Sequence, residues 1–216
     1  MASDGSPTRA DPGKRYRGLL VDFGGVLTSD VFTSFEAFCE AEGLEPETVR
    51  EKFRADPSGR ELLFGLELGT VPEAEFEARF AELLGVSASG LIERLFAGME
   101  PDQEMIEAVR AARRAGVRTG MVSNSWGHGR YDQDLLPELF DGLVISAREG
   151  IRKPDPEIYR LGAERVGLAP DECVFVDDLP GNLKPARELG MATVHHRGAA
   201  STVPELERLL GVELEG

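Results

Sequence analysis

Short runs of consecutive apolar residues recur along the chain, and amphipathic segments separate most of them. The runs are GLLVDF (18–23), VRTGMVSN (117–124), GLVIS (142–146), CVFVDD (173–178) and MATVHH (191–196). None alternates cleanly between apolar and polar residues, which predicts strands buried on both faces, as in a parallel sheet. Several intervening segments have helical periodicity and end in glycine. This alternation predicts an α/β fold with a doubly wound parallel sheet.

One region, between Asp30 and Gly98, breaks the alternation. Its apolar residues recur at three- and four-residue spacing, as Phe32, Phe35 and Phe38 do. The pattern predicts a helical domain inserted after the first strand. We therefore divide the chain into a disordered tail (1–14), a Rossmann-like core domain (15–29 and 99–216) and a helical cap domain (30–98).

The overall charge limits the classes of partner. The chain has 216 residues, of which 24 are basic and 39 acidic, so its formal charge is -15. Such a charge repels nucleic acid and anionic membranes at long range. The two cysteines, Cys39 and Cys173, lie far apart, which predicts free thiols in a reducing compartment. We expect a cytoplasmic monomer or homodimer that binds a small molecule and neither nucleic acid nor a membrane.

Polar residues stand where the predicted strands end. These are Asp22 after the first run, Ser123 and Asn124 after the second, Asp177 and Asp178 after the fourth, and Lys153 in a loop before the fourth. In a parallel α/β sheet, ligands bind at this edge. Closely spaced carboxylates repel unless a cation lies between them, and hard oxygen ligands suit Mg²⁺. A nearby lysine neutralises a phosphate, so the pattern predicts a magnesium and phosphate site.

Four segments resemble the four motifs of the haloacid dehalogenase (HAD) superfamily, whose members are mostly aspartate-nucleophile phosphatases. They are VDFGGVLT, MVSNSW, RKPDPEIY and VFVDDLPGNLKPARELGM. The resemblance extends from about residue 16 to the end, and the helical insert occupies the place of the family's cap domain. The last two motifs resemble most the N-terminal phosphatase domain of soluble epoxide hydrolases.

The resemblance implies a role for each matched residue. Asp22 is the expected nucleophile, and Lys153 bridges it to the phosphate. Ser123 and the amide of Gly25 bind phosphate oxygens, and Asn124 shapes that turn. Asp22, Asp178 and the carbonyl of Gly24 are expected to bind Mg²⁺, with Asp177 as a further ligand or a supporting partner. Asn182 is expected to orient this acidic loop.

Gly24 departs from the family pattern. Family phosphatases usually carry there a second aspartate, which protonates the leaving group and then activates water. Such a group contributes about 10²–10⁴-fold to the rate. Three interpretations follow: a phosphatase that works without this acid, a haloacid dehalogenase, whose halide needs no proton to leave, or a non-catalytic regulatory protein. Mutase and phosphonate chemistry are further options.

A few other residues are considered for functional or structural roles. His128 is a candidate replacement for the missing acid, although a solvated loop histidine is the simpler interpretation. Trp126 either packs under the cap or lines the pocket. The segment LFGLELGT is interpreted as a turn in which Glu67 contacts the substrate. His195 and His196 end the last strand away from the motif loops and are interpreted as structural.

Overall fold

The computed structural model describes residues 15–127, 131 and 134–214. The predicted tail and His128 lie outside this part of the chain. The strands are β1 (Gly18–Val21), β2 (Arg118–Ser123), β3 (Gly142–Ile145), β4 (Cys173–Asp177) and β5 (Ala192–His195). The helices are α1 (Val31–Glu42), α2 (Thr48–Arg54), α3 (Pro57–Glu67), α4 (Glu73–Leu84), α5 (Leu91–Leu95), α6 (Gln103–Arg114), α7 (Leu135–Leu139), α8 (Ser146–Glu149), α9 (Pro156–Arg165), α10 (Pro180–Glu188) and α11 (Ala199–Leu210).

The five strands form one parallel sheet in the order β3-β2-β1-β4-β5. All five predicted strands and their parallel arrangement are confirmed. Strand β1 is central, and the strand order reverses between it and β4. Val21 pairs with Met121 on one side and with Val176 on the other. The ends of β1, β2 and β4 therefore lie side by side, which is the position where ligands bind in sheets of this kind.

Helices cover both faces of the sheet, which explains the absence of polar alternation in the strands. Leu19 and Val21 belong to one hydrophobic cluster, which includes residues of α6 and α11. Leu20, between them, belongs to a second cluster, which includes residues of α9 and α10. Successive side chains of a strand point to opposite faces, so each position of β1 has an apolar neighbour.

The helices α1 to α5 enclose a third hydrophobic cluster, built mainly from their own side chains. The two connections of this helical insert to the sheet lie side by side. Thr28 forms an isolated antiparallel bridge with Pro101, and Ser29 N donates to Glu100 O at 2.7 Å. The insert therefore begins and ends at one point, directly after the loop that follows β1.

Helix α3 corrects the interpretation of LFGLELGT as a turn, because the helix continues to Glu67. Its start follows ordinary rules, since Asp56 accepts hydrogen bonds from Ser58 N and Gly59 N. Its glycines mark close helix packing instead of a turn. A Cβ atom on Gly59 would lie 2.4 Å from Lys52 O, and one on Gly65 would lie 2.3 Å from Val71 Cγ2.

Two further sequence expectations concern the thiols and the membrane. Cys39 and Cys173 are both free and buried, as predicted. Among the described residues, no helix combines the length and the apolar character that a membrane span requires.

We predict that Gly162→Ala destabilises the sheet-facing side of α9. A Cβ atom there would lie 2.7 Å from Val122 Cγ2 and 3.3 Å from Leu20 Cδ1, so the packed layer would have to shift. Overpacking of this kind costs about 1–3 kcal/mol. Gly181→Ala in α10 is the matched control, because a Cβ there meets nothing within 4 Å. Urea unfolding should show a lower free energy of unfolding for Gly162→Ala only; equal values for both variants would contradict the packing described here.

Candidate active site

Asp22 occupies the first position after β1, at the sheet edge. Its backbone N donates to Val176 O at 2.9 Å, which continues the ladder with β4 by one residue. This register brings Asp22 beside Asp177. The Asp22 carboxylate is itself fixed, because its Oδ1 accepts a hydrogen bond from Phe23 N at 2.7 Å. Only 8% of Asp22 is exposed.

Lys153 lies between two carboxylates. Its Nζ is 2.7 Å from Asp22 Oδ1 and 2.7 Å from Asp177 Oδ2, and only 1% of its side chain is exposed. Burial lowers the pKa of Lys153, but Asp177 and Asp22 outweigh this effect and raise the pKa above its ordinary value. The ammonium group is therefore permanently charged. The sequence predicted that Lys153 and Asp22 meet, and the structure places them in direct contact.

Asp177 and Asp178 are adjacent in sequence but have different surroundings. Both oxygens of Asp177 have donors: Oδ1 accepts from Leu179 N at 2.9 Å, and Asn182 Nδ2 lies 3.0 Å from Oδ1 and 3.1 Å from Oδ2. Asp177 Oδ2 also contacts Lys153 Nζ, so both carboxylate oxygens have partners, and the residue is completely buried. Asp178 is less buried and lines the cavity described below. These contacts favour Asp178 as a ligand and Asp177 as its support.

Three carboxylates face one ammonium group at this edge. Oxygen atoms of Asp22, Asp177 and Asp178 lie within 4.8 Å of one another. Burial raises the pKa of Asp22 to about 7; Lys153 opposes the rise, and Asp177 and Asp178 add to it. The pKa of Asp178 is raised to about 6, mainly by burial and to a smaller extent by the negative charge of Asp177. With all three carboxylates ionised, the site and its one ammonium group carry a net charge of -2, and a divalent cation matches both that deficit and the oxygen ligands.

Gly24 and Gly25 form the turn after Asp22. Gly25 has a φ of 72°, and a Cβ atom on it would lie 2.6 Å from Asp178 Oδ2, so the two loops touch through this residue. Its amide, predicted to hold a phosphate oxygen, donates to Thr28 Oγ1 at 3.1 Å in this structure, and the phosphate contact stays a prediction. This hydrogen bond makes Gly25 a residue that shapes the turn. At Gly24 a Cβ would meet only Val31 Cγ2, at 3.1 Å.

Ser123 is the last residue of β2, and Asn124 follows it at the same edge. Asn124 Oδ1 accepts from Lys153 N at 2.8 Å, and its Nδ2 donates to Lys153 O at 3.2 Å. Asn124 therefore fixes the backbone of the lysine loop. Tyr131, which was not selected from the sequence, is buried, and its hydroxyl donates to Ser123 Oγ at 3.0 Å. Burial raises the pKa of Tyr131 to about 12, so this phenol remains protonated at neutral pH.

Glu67 links the insert to the loops of the sheet edge. Its carboxylate is buried and pairs with the guanidinium of Arg152, the neighbour of Lys153. Burial raises the pKa of Glu67, whereas Arg152 and the amide of Asn124 lower it. Its carbonyl accepts from Ser146 Oγ, which in turn accepts from Ser125 N at 2.8 Å. Glu67 lines the cavity, as its predicted substrate contact requires, and it also has this connecting role.

A cavity of about 410 Å³ joins these groups to the insert. Its polar side contains Asp22, Ser123, Asn124, Lys153 and Asp178. Its other side is largely apolar and is contributed by the insert and by Trp126, which both packs against the insert and lines the cavity. The volume lies in the range typical of small-molecule sites. Most of the predicted site residues thus meet at one end of this cavity.

The interpretation of His195 as remote from the motif loops is wrong. His195 Nε2 donates to Asp178 O at 3.0 Å, because its Nδ1 accepts from Arg197 Nε. The end of β5 thereby supports the backbone of the acidic loop. Strand β5 pairs with β4 through Asp177, which is opposite His195, and this register could have indicated the contact. His196 instead contacts Thr202 Oγ1 at 2.9 Å.

Comparisons with known proteins agree with the resemblance found in the sequence. The family model for haloacid dehalogenase-like hydrolases matches residues 16–190. The chain is 34% identical to bifunctional epoxide hydrolase 2 of Rattus norvegicus over 134 residues, which are 59% of the chain and 24% of that protein. It is 28% identical to the sesquiterpene phosphatase astK of Aspergillus oryzae, over 89% of the chain and 85% of that protein. The chain thus spans about a quarter of the epoxide hydrolase.

Solved structures also share the fold. One is a variant of a HAD family enzyme from Bacteroides thetaiotaomicron in complex with magnesium and inorganic phosphate. It superimposes with a TM-score of 0.66 and 25% identity, over 84% of this chain and 94% of that one. Magnesium binding is therefore found among proteins of this architecture.

We predict that substitution of Asp177 mainly lowers the free energy of unfolding, whereas substitution of Asp178 mainly abolishes the binding of magnesium. Asp177→Asn should lower the free energy of unfolding by about 3 kcal/mol, because it disrupts a buried ion pair. Asp178→Asn should change it by less than about 1 kcal/mol without metal, since relief of repulsion offsets lost contacts. Magnesium should stabilise the wild type and Asp177→Asn, but not Asp178→Asn. Urea unfolding with EDTA and with magnesium measures both effects; a reversed order would exchange the two roles.

Proposed function

Because the chain belongs to the haloacid dehalogenase-like hydrolases, we propose that it hydrolyses phosphoric monoesters of small molecules through an aspartyl-phosphate on Asp22. One observation carries the proposal: a buried carboxylate, held by Lys153 and Phe23 N, lies at the polar end of a cavity beside two further carboxylates. The phosphatase among the relatives supports the same reaction class.

In the first step, Asp22 attacks phosphorus. Its Oδ1 is engaged by Lys153 and Phe23 N, so Oδ2 is the oxygen available for attack among the described contacts. A bond forms between Oδ2 and phosphorus, and the bond between phosphorus and the ester oxygen breaks. The bonding electron pair leaves with the ester oxygen, which takes a proton from solvent water because Gly24 offers none. In the second step, water attacks phosphorus and gives up a proton to solvent, the bond between Oδ2 and phosphorus breaks, and phosphate and free Asp22 are released.

The groups around Asp22 suit the phosphate. Lys153 is permanently charged and adjacent to the nucleophile, so it offsets the repulsion between carboxylate and phosphate. Ser123 Oγ accepts from Tyr131 and donates its own proton to Asn124 O at 3.3 Å, a long contact that a phosphate oxygen can replace. Asn124 holds the lysine loop by two backbone hydrogen bonds. These fixed donors need little reorganisation during the reaction.

A magnesium ion would balance the net negative charge of the three carboxylates and Lys153. Asp22, Asp178 and the carbonyl of Gly24 would hold the ion, and Asp177 and His195 would support that loop. When bound, the ion supplies Lewis-acid stabilisation of the phosphate oxygens. A metal requirement also distinguishes this proposal from haloacid dehalogenase chemistry, which needs no metal.

Residues 30–98 form the proposed cap domain, and residues 15–29 and 99–216 form the proposed core domain. The insert lies over the polar end of the cavity and is joined to it by Glu67. We also propose a reducing cytoplasmic location, which is consistent with the two free, buried thiols, and a monomeric or homodimeric state.

We predict that Gly24→Asp increases turnover of phosphate esters with poor leaving groups. The new carboxyl group would supply the missing proton donor, and the nearest obstacle is one methyl group of Val31, at 3.1 Å. A gain of about tenfold is expected, below the full acid–base contribution because no neighbouring groups orient the new side chain. The measurement is kcat for a simple alkyl phosphate.

Gly24→Ala is the matched control, because it adds the same Cβ without an acid. It should leave the rate unchanged or slightly lower. Equal gains in both variants would mean that loop rigidity, and not proton donation, limits the reaction. A loss in Gly24→Asp with Gly24→Ala unaffected would show that a further carboxylate harms this acidic site.

We predict burst kinetics with good leaving groups. Aryl phosphates of low leaving-group pKa hardly need the missing proton donor, so formation of the aspartyl-phosphate should be fast. Its hydrolysis lacks the usual base and should be slow and equal for all esters. Rapid-quench measurements should show a burst of about one phenol per active site. Asp22→Asn should abolish both phases. Equal rates without a burst for good and poor leaving groups would contradict the interpretation that Gly24 leaves the site without a proton donor.

A further inference from the structure

The insert and Trp126 together give the cavity an aromatic wall. Phe32, Phe35, Phe53, Leu63, Phe96 and Trp126 line the space opposite the carboxylates. The ring of Trp126 lies 5.6 Å from Phe35, 5.5 Å from Phe53 and 5.0 Å from Phe96, measured between centroids. These tilted and edge-on contacts are the favourable arrangements for aromatic pairs. The wall is therefore preformed by ring packing and does not depend on a ligand.

Some of these side chains remain available to a ligand. Trp126, Phe32 and Phe53 are only half-buried. Leu63 lines the cavity and is half-buried, whereas its neighbour Leu62 is buried in the cluster of the insert. Apolar surface of this kind favours the binding of an apolar ligand, because both surfaces are removed from water.

The polar groups of the insert do not suit a hydroxyl-rich ligand. Among the described residues between Val31 and Leu95, those lining the cavity include no serine, threonine, asparagine or glutamine. The polar ones are Glu67 and two arginines, Arg50 and Arg54. Glu67 is already paired with Arg152, and Arg50 lies over the ring of Phe32 and near Glu47. Of these polar side chains, only the exposed Arg54 then remains for a sugar-like group, which would lose hydrogen bonds to water on entering, at a cost in free energy.

We propose that the organic group of the substrate is predominantly apolar, so that the protein acts on an alkyl or aryl phosphate monoester whose chain packs against the aromatic wall. The proposal rests on the proposed function for the position of the phosphate, beside Asp22 and Lys153. The core loops then bind the part common to all phosphate esters, and the insert selects the remainder.

Chain length provides a quantitative test. Each buried methylene group contributes about 0.8 kcal/mol, which corresponds to about fourfold in affinity. Butyl-, hexyl- and octylphosphonate carry a carbon–phosphorus bond that this reaction does not cleave, so their binding is independent of turnover. Trp126 is the only tryptophan in the chain and lines the cavity, so its fluorescence reports the binding directly. The dissociation constant should fall about two- to fourfold per methylene group, and Trp126 emission should shift to shorter wavelength.

Two comparisons make the result specific. A polyhydroxylated phosphonate of the length of hexylphosphonate should bind no more tightly than butylphosphonate. In Leu63→Asn the advantage of octyl- over butylphosphonate should shrink severalfold, while inorganic phosphate binds as before. Leu83→Asn is the matched control, because Leu83 is half-buried in α4 and packs on the same cluster without lining the cavity. It should leave the chain-length series unchanged.

The outcomes separate this proposal from the proposed function. A steep phosphonate series combined with no hydrolysis of octyl phosphate would retain the apolar site and reject the phosphatase. Hydrolysis of short and long alkyl phosphates with equal kcat/KM, together with a flat phosphonate series, would retain the phosphatase and reject the apolar substrate. Tighter binding of the polyhydroxylated compound than of hexylphosphonate would also overturn the proposal.

Discussion

The ammonium group of Lys153, buried between Asp22 and Asp177, is the interaction on which the candidate site depends. A buried charge is costly unless its partners are close and their remaining atoms are hydrogen-bonded. Both conditions hold here, because Nζ is 2.7 Å from each carboxylate and Asn182 and Leu179 N complete the contacts of Asp177. Removing either carboxylate would leave the lysine poorly compensated. Lys153 therefore connects its own loop to the loops of Asp22 and Asp177, and it influences the charge of the nucleophile Asp22.

The glycine at position 24 also has an electrostatic consequence. Asp22, Asp177 and Asp178 already exceed the charge of Lys153 by two, and burial raises the pKa of both Asp22 and Asp178. A further aspartate at this turn would increase the repulsion. Glycine thus favours the stability of the folded loop, whereas an acid at this position favours proton transfer. Conflicts of this kind between stability and activity are common at functional sites.

The sequence predicted the sheet and most of the polar site because both depend on local patterns. Apolar runs identify buried strands, and the residue at a strand's end must lie at the ligand-binding edge. Tyr131, Arg152 and His195 were missed because their roles arise from packing between segments distant in sequence. Helix α3 was missed for a different reason: Gly59 and Gly65 resemble turn residues, although their function is to let neighbouring segments approach closely.

The sheet-edge residues and the insert make different contacts, so the residues proposed to carry out the reaction are separate from those proposed to select the substrate. Every group proposed to touch phosphate or metal comes from a strand end or a loop at the sheet edge, and those loops contact one another. The insert supplies mainly aromatic and aliphatic surface, whose packing can change without altering a single charge at Asp22. Glu67 is the exception, since it pairs with Arg152 and contacts Asn124. Changes in the aromatic wall are therefore compatible with an intact reaction centre as long as this connection keeps the insert in register with the lysine loop.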